Sequence, residues 1–120
     1  MRVLFVEDND DVRELTLEML LDEGLDVVAC ASAEAAEQAF GEREFDVVVT
    51  DVGLPGMKGT ELARRLLAIR PDLWVVFLSG YPMEGAMAWG PRIRAVLKPF
   101  EGDQLKVMLD EFRLAAHGVA

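Results

Sequence analysis

The sequence predicts an α/β domain built on a doubly wound, five-stranded parallel sheet in the order 2-1-3-4-5, with helices on both faces. Three observations point there. Short valine-rich apolar runs alternate with stretches of helical periodicity, β then α, five times along the chain. The runs are apolar at successive positions rather than alternate ones, as in strands covered on both sides, and parallel sheets have such strands. Finally, 120 residues at 52% hydrophobic content suffice for one domain with a substantial core. Right-handed crossovers leave few topologies for five such units, and the doubly wound order is the leading one.

The elements follow in order. Residues 3–6 form a short run with β-branched members, the first strand. Asn9 or Asp10 caps the next helix, where Val12, Leu15, Met19 and Leu20 recur at helical spacing, and Gly24 closes it in the C′ role. Residues 26–31 are the second strand. Ser32 caps a second helix with Ala35, Ala36, Ala39 and Phe40 on its apolar face. Residues 46–50 are the third strand and 60–69 the third helix, with Leu62, Leu66 and Ile69 on one face and Pro71 beyond its end. Residues 73–78 and 93–97 are the fourth and fifth strands, and 103–116 the last helix. Pro82, Gly85, Gly90 and Pro91 crowd the stretch between Ser79 and Ile93. A fourth helix is therefore short or irregular, confined to residues 83–89, with a loop as the alternative.

Composition excludes several function classes. A formal net charge of -10 argues against a sequence-independent grip on nucleic acid, which needs Lys and Arg against phosphates, and against docking on anionic lipid. The single cysteine, Cys30, cannot form an internal disulfide and fits a reducing compartment. The apolar start is too short for a signal peptide, and no stretch is long enough to span a membrane. The expectation is a soluble cytoplasmic protein without membrane or nucleic-acid partners.

In a parallel sheet the carboxyl ends of all strands lie on one edge, and ligands bind there at the topological switch point. The first strand ends in Glu7 and Asp8, the third in Asp51, the fourth in Ser79 and Gly80, and the fifth in Lys98 followed by Pro99. The first and third strands are neighbours in the predicted order. Three carboxylates should therefore converge in a shallow pocket with a hydroxyl and an ammonium beside them. Three such acids repel unless a cation sits among them. An all-oxygen donor set suits Mg2+, with Mn2+ as the alternative, because Mg2+ uses one or two carboxylates and shares a phosphate. Asp51 could then attack a phosphoryl donor and carry an aspartyl phosphate. The metal and Lys98 would neutralise the phosphoryl oxygens, Ser79 would hydrogen-bond one of them, and Gly80 would let the backbone approach closely.

These residues, in the stretches "VLFVEDND", "VVTDVGLPGMKGTEL", "VVFLSGY" and "VLKPF", resemble the receiver domain of two-component response regulators, a flavodoxin-like, CheY-like superfamily. The resemblance covers essentially the whole chain, 1–120, as one receiver domain. It implies that Asp51 is the phosphoacceptor and that Glu7, Asp8, Asp51 and the Gly53 backbone carbonyl hold the metal. It also implies that Ser79, Gly80 and Lys98 bind the phosphoryl group and that the Lys98–Pro99 peptide is cis. It implies a sensor histidine kinase or histidine phosphotransfer domain as partner, and a switch that catalyses its own phosphoryl transfer and dephosphorylation rather than a turnover enzyme. The 120 residues read as a receiver alone, so the expectation is either a stand-alone receiver or one domain of a larger regulator or hybrid histidine kinase. "LSGYP" and "TDVGLPG" resemble receivers attached to hybrid kinases, so a tethered kinase or output domain is a further expectation.

The chain departs from the family at three places. Ala95 stands three residues before the lysine, where relatives often carry an aromatic switch residue. The stretch from Ser79 to Lys98 is slightly short and rich in Gly and Pro. Gly53 and Tyr81 flank the site with an absent and a bulky side chain respectively.

Taken singly, Asp51 could be a turn acid, Glu7 and Asp8 helix N-terminal acids, Ser79 a turn residue and Lys98 a surface lysine; taken together they read as a site. Cys30 reads as a core thiol, Asp46 as a turn or surface acid, Trp74 and Trp89 as packing residues, and His117 as part of a frayed terminus. The alternatives are an interaction module with the receiver fold but no phosphate control, and a Mg-dependent phosphatase of haloacid-dehalogenase type. The phosphatase would need its Asp-x-Asp on the first strand, where this chain has Glu7 and Asp8. A flavodoxin-like cofactor binder ranks lower still, since no phosphate-cradling loop follows the first strand.

Overall fold

A computed structural model of the chain describes residues 1–83 and 90–116. The expected fourth helix beyond Met83, with Trp89, and His117 lie outside the described residues. Five parallel strands, β1 (Arg2–Val6), β2 (Asp26–Cys30), β3 (Val47–Asp51), β4 (Trp74–Ser79) and β5 (Ile93–Leu97), form one sheet in the order β2-β1-β3-β4-β5. The described helices are α1 (Asp10–Asp22), α2 (Ala33–Glu42), α3 (Gly59–Ile69) and α4 (Gly102–Ala116). The predicted class and strand order are those of the molecule, and strand boundaries shift by at most one residue. β3 runs on to Asp51, which pairs with Leu78.

Alternation along the strands sends side chains to two cores. Leu4, Val6, Val48, Val75 and Phe77 pack with Ala36, Phe40, Leu62 and Leu66, so α2 and α3 cover one face. Val3, Phe5, Val49, Val76 and Leu78 pack with Leu20, Leu105, Leu109 and Phe112, so α1 and α4 cover the other. Trp74 stacks on Phe112 at 4.1 Å between centroids, with the Arg92 guanidinium 4.9 Å from its ring, which fastens α4 to the sheet.

The helix signals act as read. Asn9 caps α1, its side-chain oxygen accepting from the Val12 amide at 3.0 Å, and Ser32 caps α2 through the Ala35 amide at 3.1 Å. Gly24 follows α1 at φ 74°, the left-handed conformation that its C′ role requires.

One reading needs correction. The α1 stripe is only partly a core face: Leu20 and Thr16 are buried, whereas Val12 and Leu15 are 37% and 65% exposed. Together with Met19 they form an apolar groove against Lys98, Pro99 and Phe100. Periodicity reports an apolar stripe, not which part of it the sheet covers. Likewise Leu62 and Leu66 of α3 are buried while Ile69 is exposed.

The amino-terminal edge of the sheet is stitched by polar contacts. The Arg2 amide donates to Asp46 at 2.8 Å, and its guanidinium pairs with Asp26. Arg70 donates to the Phe45 carbonyl at 2.6 Å and faces Asp46 and Asp72. Arg92 donates to the Asp72 carbonyl. Asp46, expected as a turn or surface acid, is a link in this network.

Candidate phosphoacceptor site

The carboxyl edge gathers the acids. Glu7, Asp8 and Asp51 each place a carboxylate oxygen within 4.8 Å of the others. Glu7 continues β1, its amide donating to the Cys30 carbonyl at 3.0 Å, and is 1% exposed. Asp8 is exposed, and Asp51 sits between them in depth. Lys98 reaches in from the end of β5 and bridges two acids, its Nζ donating to Asp51 Oδ2 at 3.0 Å and to Glu7 Oε1 at 3.1 Å. The buried Glu7 carboxylate is satisfied on its other oxygen by the Asn9 amide at 3.2 Å, as a buried charge must be. The Lys98–Pro99 peptide is cis.

Electrostatics follow from these contacts. Burial alone would depress the Lys98 pKa, but its hydrogen bonds to Asp51 and Glu7 outweigh that and hold it above the ordinary lysine value. The sign follows: the stabilisation from Lys98 is intact below the ordinary value, about pH 10.4, and is lost as pH climbs through the raised one. The ammonium therefore stays charged throughout the neutral range.

The hydroxyl is engaged by its own loop. Ser79 Oγ donates to the Tyr81 carbonyl at 2.6 Å and accepts from the Tyr81 amide at 3.2 Å, turned into its own loop. Lys98 and Ser79 are nonetheless joined through the backbone, the Lys98 amide donating to the Ser79 carbonyl at 2.6 Å. Gly80 has open space where a side chain would stand. The Gly53 amide donates to Asp51 Oδ1 at 3.2 Å, and a Cβ there would lie 3.9 Å from that oxygen. Ala95 and Tyr81 are both exposed beside the site.

Sequence reasoning missed three supports. Arg13 donates to the Glu7 carbonyl at 3.0 Å and to Asp10 at 2.6 Å, pinning the loop that carries Asp8. Its i, i+3 spacing from Asp10 is the signal that could have found it. Thr50 Oγ1 donates to the Asp51 carbonyl at 3.1 Å. Gly59, the first residue of α3, lies against that same carbonyl, where a Cβ would overlap the oxygen. A glycine after Lys58, at the point where the third helix begins, is the signal that could have found it.

Cys30 ends β2 beside Glu7, and burial pushes its thiol pKa up against a smaller pull from Arg13. The thiolate is the reactive form, so native Cys30 is expected to react with Ellman's reagent at neutral pH far more slowly than the urea-unfolded chain. Equal rates in the two states would contradict its burial.

The donor set is all oxygen, three carboxylates against one ammonium, and it suits a small divalent cation better than bare coexistence of the acids. The sequence matches the response regulator receiver domain over residues 3–110. The chain belongs to the response regulator receiver family. Such domains bind Mg2+ at an acidic pocket and act as signalling modules in two-component systems, with histidine kinases and phosphotransfer proteins as partners.

This receiver domain is 31% identical to the response regulator receiver protein CpdR of Brucella abortus, covering 96% of this chain and 98% of CpdR. It is 35% identical to the sensor kinase CckA of the same organism over 91% of this chain, but spans only 12% of that kinase. Among solved structures it is similar to the response regulator TrrA of Thermotoga maritima in complex with Mg(2+)-BeF. That match has TM-score 0.82 and 28% identity, covering 92% of this chain and 97% of TrrA. A receiver domain from Clostridium thermocellum, at TM-score 0.88 and 21% identity over 99% of this chain and 98% of its own, shares the fold. No described helix of this receiver domain is long and apolar enough to cross a membrane.

Proposed function

We propose that the domain is a phosphorylation-dependent switch with Asp51 as phosphoacceptor. The observation that carries this is the Lys98 ammonium bridging Asp51 and Glu7 among three converging carboxylates. An Asp51 carboxylate oxygen attacks the phosphorus of a phosphohistidine. An O–P bond forms, the P–N bond breaks, and the imidazole nitrogen leaves with the electron pair. Mg2+, or Mn2+ in its place, held by Glu7, Asp8, Asp51 and the Gly53 carbonyl would neutralise charge on the transferring group. Lys98 pairs with a phosphoryl oxygen once Asp51 is modified. Ser79 turns its hydroxyl from Tyr81 to a second oxygen, and the open space at Gly80 admits the group.

The donor is a sensor histidine kinase or histidine phosphotransfer domain. The exposed groove of Val12, Leu15, Met19, Pro99 and Phe100 beside Lys98 offers it an apolar landing surface. Similarity to a segment of the sensor kinase CckA supports a hybrid-kinase setting, either tethered or as a relay partner.

Incubation with Mg2+ and acetyl phosphate should yield one acid-labile phosphoryl adduct by intact mass, and EDTA should abolish it. Absence of any adduct would favour the phosphorylation-independent interaction module. Steady turnover of phosphate monoesters would favour the phosphatase. Lys98→Ala should slow adduct formation about 100-fold, the usual scale for losing one charge-stabilising donor. An unchanged rate would remove Lys98 from the chemistry.

A further inference from the structure

Ala95 and Tyr81 meet at the same hollow. β4 and β5 pair Phe77 with Ala95 and Ser79 with Leu97, so Ala95 and Leu97 extend the sheet face that carries Phe77. Both are exposed, and beside them lies a hollow of about 230 Å3 lined by Ser79, Tyr81, Pro82, Met83, Ala95 and Leu97, with Val96 completing its wall. At position 95 its floor carries a methyl group. Tyr81 stands on its rim, 62% exposed. Among the described residues, the Ser79 hydroxyl holds the backbone bearing that ring, through the 2.6 Å and 3.2 Å hydrogen bonds to the Tyr81 carbonyl and amide.

We propose that Tyr81 is the residue through which the site reaches the surface around β5: when Ser79 turns to a phosphoryl oxygen, Tyr81 is released and its ring folds into the hollow over Ala95. The inference rests on the phosphoacceptor reading of Asp51. A serine hydroxyl has one proton, so Ser79 cannot donate to the Tyr81 carbonyl and to a phosphoryl oxygen at once. An exposed phenol beside an apolar floor gains by burial, and its hydroxyl can keep contact with water at the open side of the hollow. The small side chain at position 95 leaves the space that a ring there would fill. The aromatic group thus enters from the loop after β4 rather than from β5.

Tyr81 is the only tyrosine in the chain, so nitration by tetranitromethane reads this ring alone. Loading with Mg2+ and beryllofluoride is followed independently by the 19F resonances of bound fluoride. The expected result is a severalfold fall in nitration rate on loading of the wild type and no fall in loaded Ala95→Phe, where the hollow is already filled. Loading without protection of Tyr81 overturns the proposal and leaves the phosphoacceptor reading standing. Equal protection in loaded Ala95→Phe shows that the ring goes elsewhere and also overturns it. A wild type that does not load overturns both.

Discussion

Asp51→Asn is expected to take up no phosphoryl group and yet to melt at a higher temperature than the wild type in metal-free buffer. The first half follows from chemistry, because an amide oxygen is a poor nucleophile and leaves no acyl phosphate. The second half follows from the charges. Asp51 faces two other carboxylates within 4.8 Å and one ammonium at 3.0 Å. Removing its charge relieves two repulsions for one lost, partly exposed ion pair of modest worth. Lys98 keeps Glu7, so no buried charge is stranded. The net gain is about 1 kcal/mol at low salt. Mg2+ should raise the wild-type melting temperature by binding the folded state and should raise that of the variant less. Intact mass and thermal melts with and without Mg2+ check both halves. A variant phosphorylated as readily as wild type would move the phosphoacceptor away from Asp51, and a variant that melts lower would mean the acids do not repel as placed.

Gly59→Ala is expected to destabilise the fold by about 3 kcal/mol, at the upper end for an overpacked backbone contact. Elsewhere in a helix alanine is favoured over glycine by about 1 kcal/mol, so the sign is a sharp test. At residue 59 a Cβ would overlap the Asp51 carbonyl oxygen and sit 3.0 Å from both the Asp51 carbonyl carbon and Thr50 Oγ1. Most of these atoms are backbone of the central strand, and none is the end of a flexible side chain. The Gly59 amide also donates to the Val52 carbonyl at 3.2 Å, drawing the helix start onto the strand end. Making room must shift α3 or Asp51, so phosphorylation should fall along with stability. Gly41→Ala in α2 is the internal control. Nothing lies within 4 Å of the point where its Cβ would stand, and it should gain about 0.5–1 kcal/mol. Urea melts of both variants decide it: a neutral Gly59→Ala would mean α3 can move off the strand cheaply.

The contrast between these two glycines shows what sequence could and could not reveal. Strand order and the convergence of Glu7, Asp8, Asp51 and Lys98 on one edge were legible, because apolar runs locate strands and a parallel sheet sends every strand's end to the same side. The orientation of the Ser79 hydroxyl was not, because a serine has partners on both sides and only the loop's path chooses between them. Arg13 and Gly59 escaped for a related reason: they act on backbone carbonyls, and the faint marks they leave, a spacing of three from Asp10 and a glycine where a helix begins, fit many other roles. The exposure of Val12 and Leu15 escaped because a helix wider in apolar surface than its contact with the sheet looks, in sequence, like an ordinary core helix.

The two edges of the sheet differ in kind. At the amino edge Arg2, Asp26, Asp46, Arg70 and Asp72 lace strand starts and turns together. At the opposite rim the loops carry the acids, the Tyr81 ring and the apolar groove. The molecule is thus a frame with a working rim. Substitutions on the exposed part of the rim, at Val12 or Leu15, would therefore change the surface that is presented while the lacing preserves the fold that presents it.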